Sequence, residues 1–128
     1  MPESKLHYCD LCRLLIAPND PSRLERNGRT VHEHCLLDKD MANIGRSVYE
    51  FLKQNSGVFT ANFFLTEAVK RKVRSRKAMA ETIGACLNMA VNQACRQKRT
   101  ESLGSIETFA GSMSDRLFMD IRVRSGIL

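Results

Sequence analysis

The chain has 128 residues, 43% of them apolar and 27% charged, which predicts one ordinary domain with a modest core and argues against a multidomain machine. Its apolar runs are only a few residues long and no apolar leader opens the chain, so we expect no membrane partner and an intracellular protein of the cytoplasm, nucleoid or nucleus. The net charge of +6 favours an anionic partner, either nucleic acid or an acidic protein surface.

The first third of the chain has the composition of short strands and tight turns. Residues 1–36 hold all three prolines, all three histidines and three of the five cysteines. Turn-forming residues cluster at 18–21, and Asn27-Gly28 is typical of a two-residue hairpin turn. In a reducing compartment, the odd number of cysteines indicates metal-binding thiolates or small core residues and argues against a disulfide framework.

Two pairs of metal-ligand residues lie in this segment. Cys9 and Cys12 are separated by two residues, and His32 and Cys35 form a second pair after a gap of 19 residues. Such pairs are typical of tetrahedral zinc, with the cysteines bound as thiolates. The spacing predicts one structural Zn²⁺, whose binding would supply much of the folding free energy of a segment with little other core. His34 is adjacent to this pair and is the alternative fourth ligand.

The segment YCDLCRLLI…NGRTVHEHCL resembles the first zinc-binding half of a LIM domain. The residues that match the family pattern are Cys9, Cys12, Gly28, His32 and Cys35. A LIM domain continues with a second cysteine-rich half, whereas the next cysteines here, Cys86 and Cys95, lie on a predicted helix, where small core residues are expected. The resemblance implies a lone LIM-like, or treble-clef-like, finger over residues 1–38, with a structural zinc and a role in binding protein or nucleic acid.

The same pattern argues against catalysis. Four Cys and His ligands would close the coordination shell of the metal, whereas a catalytic zinc keeps one position open. Glu33 lies between ligands, but the sequence contains no His-Glu-x-x-His pattern and no phosphate-binding glycine loop. We therefore expect no catalytic residue and no enzyme. A metal-dependent nuclease that uses Glu33 is the remaining enzymatic hypothesis.

A first helix is predicted near residues 40–54, in the proline-free part of the chain. Asp38 or Asp40 is available as its N-cap, and Gly57 is placed to end it. Its apolar residues share one helical stripe, as expected for a helix that packs on a core. These residues are Met41, Ile44, Val48, Phe51 and Leu52.

Two further helices are predicted, capped by Thr60 and Ser75. No proline or glycine lies between Thr60 and Glu81, so one long helix is the alternative. We favour a turn near Val73, because the cations around it would leave a continuous helix no apolar face at that point. The third helix has the strongest stripe, which consists of Met79, Ile83, Cys86, Leu87, Ala90 and Ala94.

The end of the chain predicts a strand pair. Apolar residues recur at every second position from Leu117 to Val123, which is strand spacing. Residues 105–110 are expected to form the partner strand, joined through residues 111–115. The predicted fold class is therefore α+β, with the finger followed by a three-helix, winged-helix-like basic domain over residues 39–128.

Three helices followed by a strand pair resemble a winged helix-turn-helix, whose third helix enters the DNA major groove. The positive charge lies in this part: residues 1–68 carry eight Lys and Arg against nine Asp and Glu, and residues 69–128 carry twelve against five. We expect duplex DNA to be favoured over single strands, since aromatic residues are few. The expected nucleic-acid contacts are Lys70, Arg71, Lys72, Arg74, Arg76, Lys77, Arg96, Lys98 and Arg99, with Arg122 and Arg124 on one face of the last strand.

Two functions follow from these patterns. The first is a small zinc-containing nucleic-acid-binding protein that acts as a DNA-binding transcriptional regulator. The alternative is an adaptor or inhibitor that acts on the transcription machinery through the zinc finger and the helical stripe, without direct DNA contact. A homodimer is compatible with both functions. The face expected to form it consists of Cys86, Leu87, Ala90 and Ala94.

Overall fold

A computed structural model of the protein describes residues 7–71, 73 and 75–124. Within these ranges, five helices and two antiparallel strand pairs confirm the predicted α+β class. The strand pairs and a short helix come first in the chain, and four longer helices follow. None of the described helices combines the length and the apolar character that crossing a bilayer requires.

The N-terminal part, residues 7–37, is termed the finger. Asn27 and Gly28 connect its second strand pair with positive φ angles of 51° and 76°, which confirms the predicted hairpin turn. Both strand pairs are antiparallel, and a one-turn helix follows them directly. The elements are β1 (His7–Tyr8), β2 (Leu15–Ile16), β3 (Arg23–Arg26), β4 (Arg29–His32) and α1 (Glu33–Leu37).

Four helices form the body of the protein. They are α2 (Lys39–Ser56), α3 (Val58–Lys70), α4 (Arg76–Arg96) and α5 (Thr100–Leu117). The predicted first helix is confirmed, because Asp38 caps α2 by accepting a hydrogen bond from the Met41 N–H at 3.0 Å, and Gly57 follows its last residue with a φ of 91°. Ser75 caps α4 by accepting from the Ala78 N–H at 3.2 Å, also as predicted.

The connection between α3 and α4 separates two helices, so the predicted break is confirmed and the single long helix is excluded. The expectation that Thr60 caps α3 is wrong, because the helix already begins at Val58. Thr60 is buried in the first turn, where its hydroxyl hydrogen-bonds the carbonyl of Ser56 at 3.3 Å and lies 3.1 Å from Gln93 Oε1. This contact places the start of α3 beside the end of α4.

The predicted C-terminal strand pair is wrong. Residues 105–110 lie inside α5, and no strand is assigned in the described residues after it. The residues that α5 buries recur at helical intervals of four, three and four, and this longer stripe outweighs the short alternation that follows. The extended tail is held by side chains, since the Ile121 N–H bonds Ser114 Oγ at 3.0 Å and the Arg124 N–H bonds Asn88 Oδ1 at 2.6 Å.

Over the residues that the structure describes, the body therefore has four long helices and no wing. Helix α4 contacts each of α2, α3 and α5, and the tail passes over it, where Ile121 packs beside Gly84. The finger and the body share one hydrophobic core, whose buried residues include Cys9 of the finger and Ile121 of the tail. The expected division at residues 38 and 39 stays a prediction. Among the largest fully buried side chains are Phe64, Ile44, Leu52, Ile83, Leu87 and Ile106.

Candidate metal centre

Four side chains of the finger converge on one point. Cys9 follows β1 and Cys12 lies in the turn before β2. His32 is the last residue of β4, and Cys35 lies in α1. Their ligand atoms all lie within 4.8 Å of one another, and all four residues are buried. The two ligand pairs seen in the sequence thus form one cluster that can hold a metal ion.

The distances within the cluster fit a four-coordinate ion. His32 Nδ1 lies 3.4 Å from Cys12 Sγ and 3.7 Å from Cys35 Sγ. In a tetrahedral site with metal–ligand bonds of about 2.0–2.3 Å, neighbouring ligand atoms are about 3.5–3.8 Å apart. Three sulfurs and one imidazole nitrogen therefore surround a point at which an ion can be bound with little movement of the finger.

The position of the histidines decides between the two candidate fourth ligands. His32 contributes Nδ1 to the cluster, whereas His34 lies outside it and stacks its ring on that of His32, with 4.8 Å between centroids and 25° between planes. The stacking supports the plane of the His32 ring. The sequence left this choice open, and the structure places His32 with the cysteines.

Backbone N–H groups surround the sulfurs. Cys9 Sγ accepts hydrogen bonds from the N–H groups of Leu11 and His32, both at 3.4 Å, and Cys12 Sγ accepts one from the N–H of Leu14 at 3.5 Å. Such donors stabilise a thiolate and orient it, as outer-shell hydrogen bonds do in metal sites. The turn after β1 is therefore built to present two ionised sulfurs to the same point.

The thiols of the cluster also act on one another. Hydrogen bonds with the thiols of Cys12 and Cys35 hold the pKa of Cys9 well below its usual range. The hydrogen bonds of Cys12 with Cys35 and Cys9, and its burial, raise the pKa of Cys12 far above its usual range. Three thiolates at this separation repel one another in a buried site, so they can all ionise only around a cation.

Helix α2 supports the cluster from the body of the protein. A Cβ atom on Gly45 would lie 2.9 Å from the carbonyl oxygen of Cys12, so only glycine allows this approach. The next residue, Arg46, donates a hydrogen bond from Nη2 to the carbonyl of Asp10 at 3.1 Å. Neither residue is among the predicted site residues, although a glycine inside a predicted helix is a signal of close packing.

Two of the predicted nucleic-acid contacts near the α3–α4 connection are paired within the protein. Arg71 Nε lies 3.4 Å from a carboxylate oxygen of Glu67. Arg76 Nη2 lies 3.3 Å from both carboxylate oxygens of Asp38, the residue that caps α2. Because these guanidinium groups already have anionic partners, their capacity to bind a phosphate is reduced.

The other predicted contacts near this connection divide into two kinds. Lys70 and Lys77 are exposed, on the last turn of α3 and the first turn of α4. Lys72 and Arg74 lie outside the described residues. Of the predicted contacts near this connection, Lys70 and Lys77 are therefore the two described ones without an ion pair to another described residue.

Arg96, Lys98 and Arg99 lie at the opposite end of α4 and are termed the basic loop. All three are exposed, and none forms an ion pair with a residue in the described part of the chain. Helix α4 has 21 residues, so it separates the basic loop from Lys77 by about 30 Å. The predicted contacts therefore form two groups and not one surface.

Helix α4 has little free surface for a DNA groove. Its stripe is covered by α2, α3 and α5, so the helix expected to enter a major groove forms the centre of the core. The face expected to form a homodimer is buried within this chain, and the homodimer itself stays a prediction. The residues of that face are Cys86, Leu87, Ala90 and Ala94, each 1% exposed or less.

The burial of Cys86 leads to a prediction about its reactivity. Burial is the main cause that raises the pKa of its thiol to about 12, so almost none of it is thiolate at neutral pH. We expect Cys86 to resist iodoacetamide in the folded protein and to react in denaturant, as measured by peptide mass spectrometry. The half-buried Cys95 of the same helix is the internal comparison. Rapid labelling of Cys86 without unfolding would contradict its placement in the core.

No protein-family model, curated protein or solved structure matches this chain. The resemblance of the finger to half of a LIM domain therefore depends only on the residues of the finger. The resemblance of the body to a winged helix depended on a C-terminal strand pair, and residues 105–110 of that pair lie in α5. The metal centre and the surface of the protein are therefore the features that indicate its function.

Proposed function

We propose that the cluster of Cys9, Cys12, His32 and Cys35 binds one Zn²⁺ and that this ion is structural. Zinc takes thiolate and imidazole ligands in tetrahedral sites, which is the donor set present here. Four protein ligands leave no open position for a substrate, so the proposal includes no catalytic role for the metal or for Glu33. Bound zinc would supply the charge that three neighbouring thiolates need.

We further propose that the protein binds nucleic acid through exposed cations, above all those of the basic loop. The observation that carries this proposal is that Arg96, Lys98 and Arg99 are exposed together without an ion pair to any described residue. When clustered Lys and Arg side chains bind phosphates, counterions are released from the nucleic acid. The resulting affinity depends on salt and is largely independent of sequence.

The backbone of the basic loop adds support. Lys98 follows α4 with a φ of 55°, the conformation that glycine adopts at helix ends without cost. Hydrogen bonds from the Lys98 N–H to the Cys95 carbonyl and from the Arg99 N–H to the Ala94 carbonyl complete this helix end. A lysine at this position costs about 1 kcal/mol relative to glycine, so the cation is present here against the conformational preference of the backbone.

A double substitution tests the proposal. Arg96→Ala combined with Lys98→Gly is expected to weaken binding to every sequence and to reduce the slope of log Kobs against log salt by about two. Fluorescence anisotropy with labelled random duplexes and single strands at several salt concentrations measures both quantities. The glycine fits the helix end, so the fold is expected to be retained.

The matched control removes two exposed cations elsewhere. Lys39→Ala combined with Lys53→Ala removes the same number of exposed cations from α2, outside the basic loop, and is expected to leave the slope nearly unchanged. If both double variants reduce the slope alike, net charge and not the basic loop is responsible. If the unmodified protein binds neither duplex nor single strand at low salt, the proposal is wrong.

The kind of nucleic acid is a separate question. The preference for duplex DNA stays a prediction, but the helix expected to read it is buried in the core. Transcription regulation is the role that we would propose if the bound nucleic acid is DNA with a defined site. Selection of bound sequences from a random library tests this, since enrichment of one motif supports a regulator and unchanged pools contradict it.

An adaptor function remains the second candidate, because large apolar side chains are exposed. Val58 and Phe59 are 55% and 71% exposed at the start of α3, and Phe118 is 86% exposed after α5. Exposed aromatic side chains are enriched in protein interfaces. A stoichiometric complex with a purified protein that persists after nuclease treatment, together with no affinity for nucleic acid, would favour this function.

A further inference from the structure

A cleft of about 230 Å³ lies between the finger and the first two long helices. The finger contributes a residue of β1 and a residue of the turn that carries the metal ligands. Helices α2 and α3 contribute the opposite wall. The lining residues are Tyr8, Arg13, Tyr49, Asn62 and Leu65, and this site is termed the tyrosine cleft. It is distinct from the metal cluster and from the basic loop.

The polar groups of the tyrosine cleft are not used by the fold. Among the described residues, no hydrogen bond or ion pair is formed by the side chains of Tyr8, Arg13, Tyr49 or Asn62. The side chain of Tyr8 is 42% exposed, although it belongs to a strand that lies beside the core. Two aromatic rings, a guanidinium and a carboxamide therefore converge on the same space with their bonding capacity free.

Arg13 is also held in an unusual conformation. Its φ is 69°, in the left-handed region, because the turn between Cys12 and β2 reverses there and its N–H bonds the Cys9 carbonyl at 2.9 Å. Glycine adopts this conformation without steric cost, whereas other residues are rare in it. The conformation of the turn therefore favours glycine at this position. An arginine here is explained if its side chain binds a ligand.

We infer that the tyrosine cleft binds one unstacked nucleobase of a single strand, with the adjacent phosphate on Arg13. A tyrosine ring offers a stacking surface to any base, and the guanidinium fits a phosphate through paired N–H donors. The carboxamide of Asn62 can both donate to and accept from a base edge. The inference rests on the proposed nucleic-acid binding and specifies its substrate as single-stranded.

The size of the cleft agrees with this ligand. Its volume is below the roughly 300–1,000 Å³ of pockets for drug-sized molecules, so it suits one ring system and not several.

An acidic peptide is the rival ligand, because Arg13 alone would bind a carboxylate. The observations favour the nucleotide, since a carboxylate makes no use of two aromatic rings and the chain has a net charge that suits a polyanion. A free mononucleotide has the same chemistry as one unit of a strand. The experiment separates these three ligands.

The test measures binding of the zinc-loaded protein to a labelled single strand of about 12 nucleotides and to a duplex of the same length. Tyr8→Ala and Arg13→Gly are each expected to raise the Kd for the single strand roughly 5-fold or more, the effect of losing one stacked base or one charged contact. Tyr8→Phe keeps the ring and is expected to bind like the unmodified protein. Arg13→Gly relieves the left-handed backbone, so its thermal midpoint is expected to be equal or higher.

Each outcome decides a different point. If Tyr8→Ala and Arg13→Gly bind the strand normally while Arg96→Ala with Lys98→Gly does not, the cleft assignment is wrong and the proposed function stands. If the unmodified protein binds no nucleic acid, both fail. Displacement of the strand by AMP at equal concentration would overturn the strand assignment in favour of a free nucleotide. Displacement by an oligoglutamate peptide that depends on Arg13 but not on Tyr8 would overturn the nucleotide in favour of an acidic protein.

Discussion

Replacing Cys12 with serine is expected to remove the bound metal and to unfold the finger. The hydroxyl of serine does not replace a thiolate as a zinc ligand, and the sulfur of Cys12 also accepts the N–H of Leu14. Zinc binding contributes about 10–16 kcal/mol in isolated zinc-finger peptides, far more than the two short strand pairs of the finger can supply. The expected result is a finger without fixed structure attached to a body that keeps its helices.

Backbone NMR spectra and metal analysis of the same sample measure this outcome. Resonances of the finger are expected to collapse in Cys12→Ser and in the unmodified protein treated with chelator, while far-ultraviolet circular dichroism retains most of its helical signal. Cys95→Ser is the matched control, because it changes a half-buried cysteine of α4 outside the cluster. A Cys12→Ser protein with normal metal content and an intact finger would refute the metal centre.

Replacing Gly45 with alanine is expected to destabilise the protein and to weaken metal binding, although alanine is the better helix former. The added methyl would lie 2.9 Å from the carbonyl oxygen of Cys12 and 3.2 Å from its Cβ, both close to the backbone and unable to move aside. Overpacking of this kind costs about 1–3 kcal/mol, against the roughly 1 kcal/mol that alanine gains in helix propensity. The net loss is expected to appear as a lower urea midpoint and a lower affinity for zinc in competition with a chelator.

Gly104 provides the control for this substitution. It lies in the interior of α5 on an exposed face, and a Cβ atom there would meet nothing within 4 Å. Gly104→Ala is therefore expected to stabilise the protein by up to about 1 kcal/mol and to leave zinc affinity unchanged. Equal effects of the two substitutions would mean that α2 and the cysteine turn are not in contact.

The metal ligands were predictable because their signal is local. The spacing of Cys9 and Cys12 fits one turn, and the Asn27-Gly28 turn returns the chain so that the second pair meets the first. The caps at Asp38 and Ser75 were predictable for the same reason, since a side chain three residues before an N–H group acts within one helical turn.

The tail was mispredicted because two local patterns compete there. The alternation after Leu117 is genuine but spans only a few residues, whereas Ile106, Ala110 and Met113 form a helical stripe that packs on α4. Leu117 belongs to both patterns. Packing against the body decides between them, and a short sequence pattern contains no information about packing.

The ion pairs of the surface cations were not predictable from the sequence, for a different reason. The guanidinium of Arg76 is paired with Asp38, a residue 38 positions away in sequence, so its neutralisation cannot be seen in a local charge run. The tyrosine cleft joins Tyr8 to Tyr49 and Asn62 across similar distances along the chain. Interactions of this kind arise from the tertiary fold, which brings the finger against α2 and α3.

One closed metal centre, formed by Cys9, Cys12, His32 and Cys35, is expected to hold the finger in its folded form. Native mass spectrometry of the protein purified without added metal is the first measurement to make, because it reports the identity and number of bound ions per chain. We expect about one zinc per chain, lost in Cys12→Ser and retained in Cys95→Ser. A folded, metal-free chain, or a chain whose metal survives the loss of Cys12, would overturn this expectation.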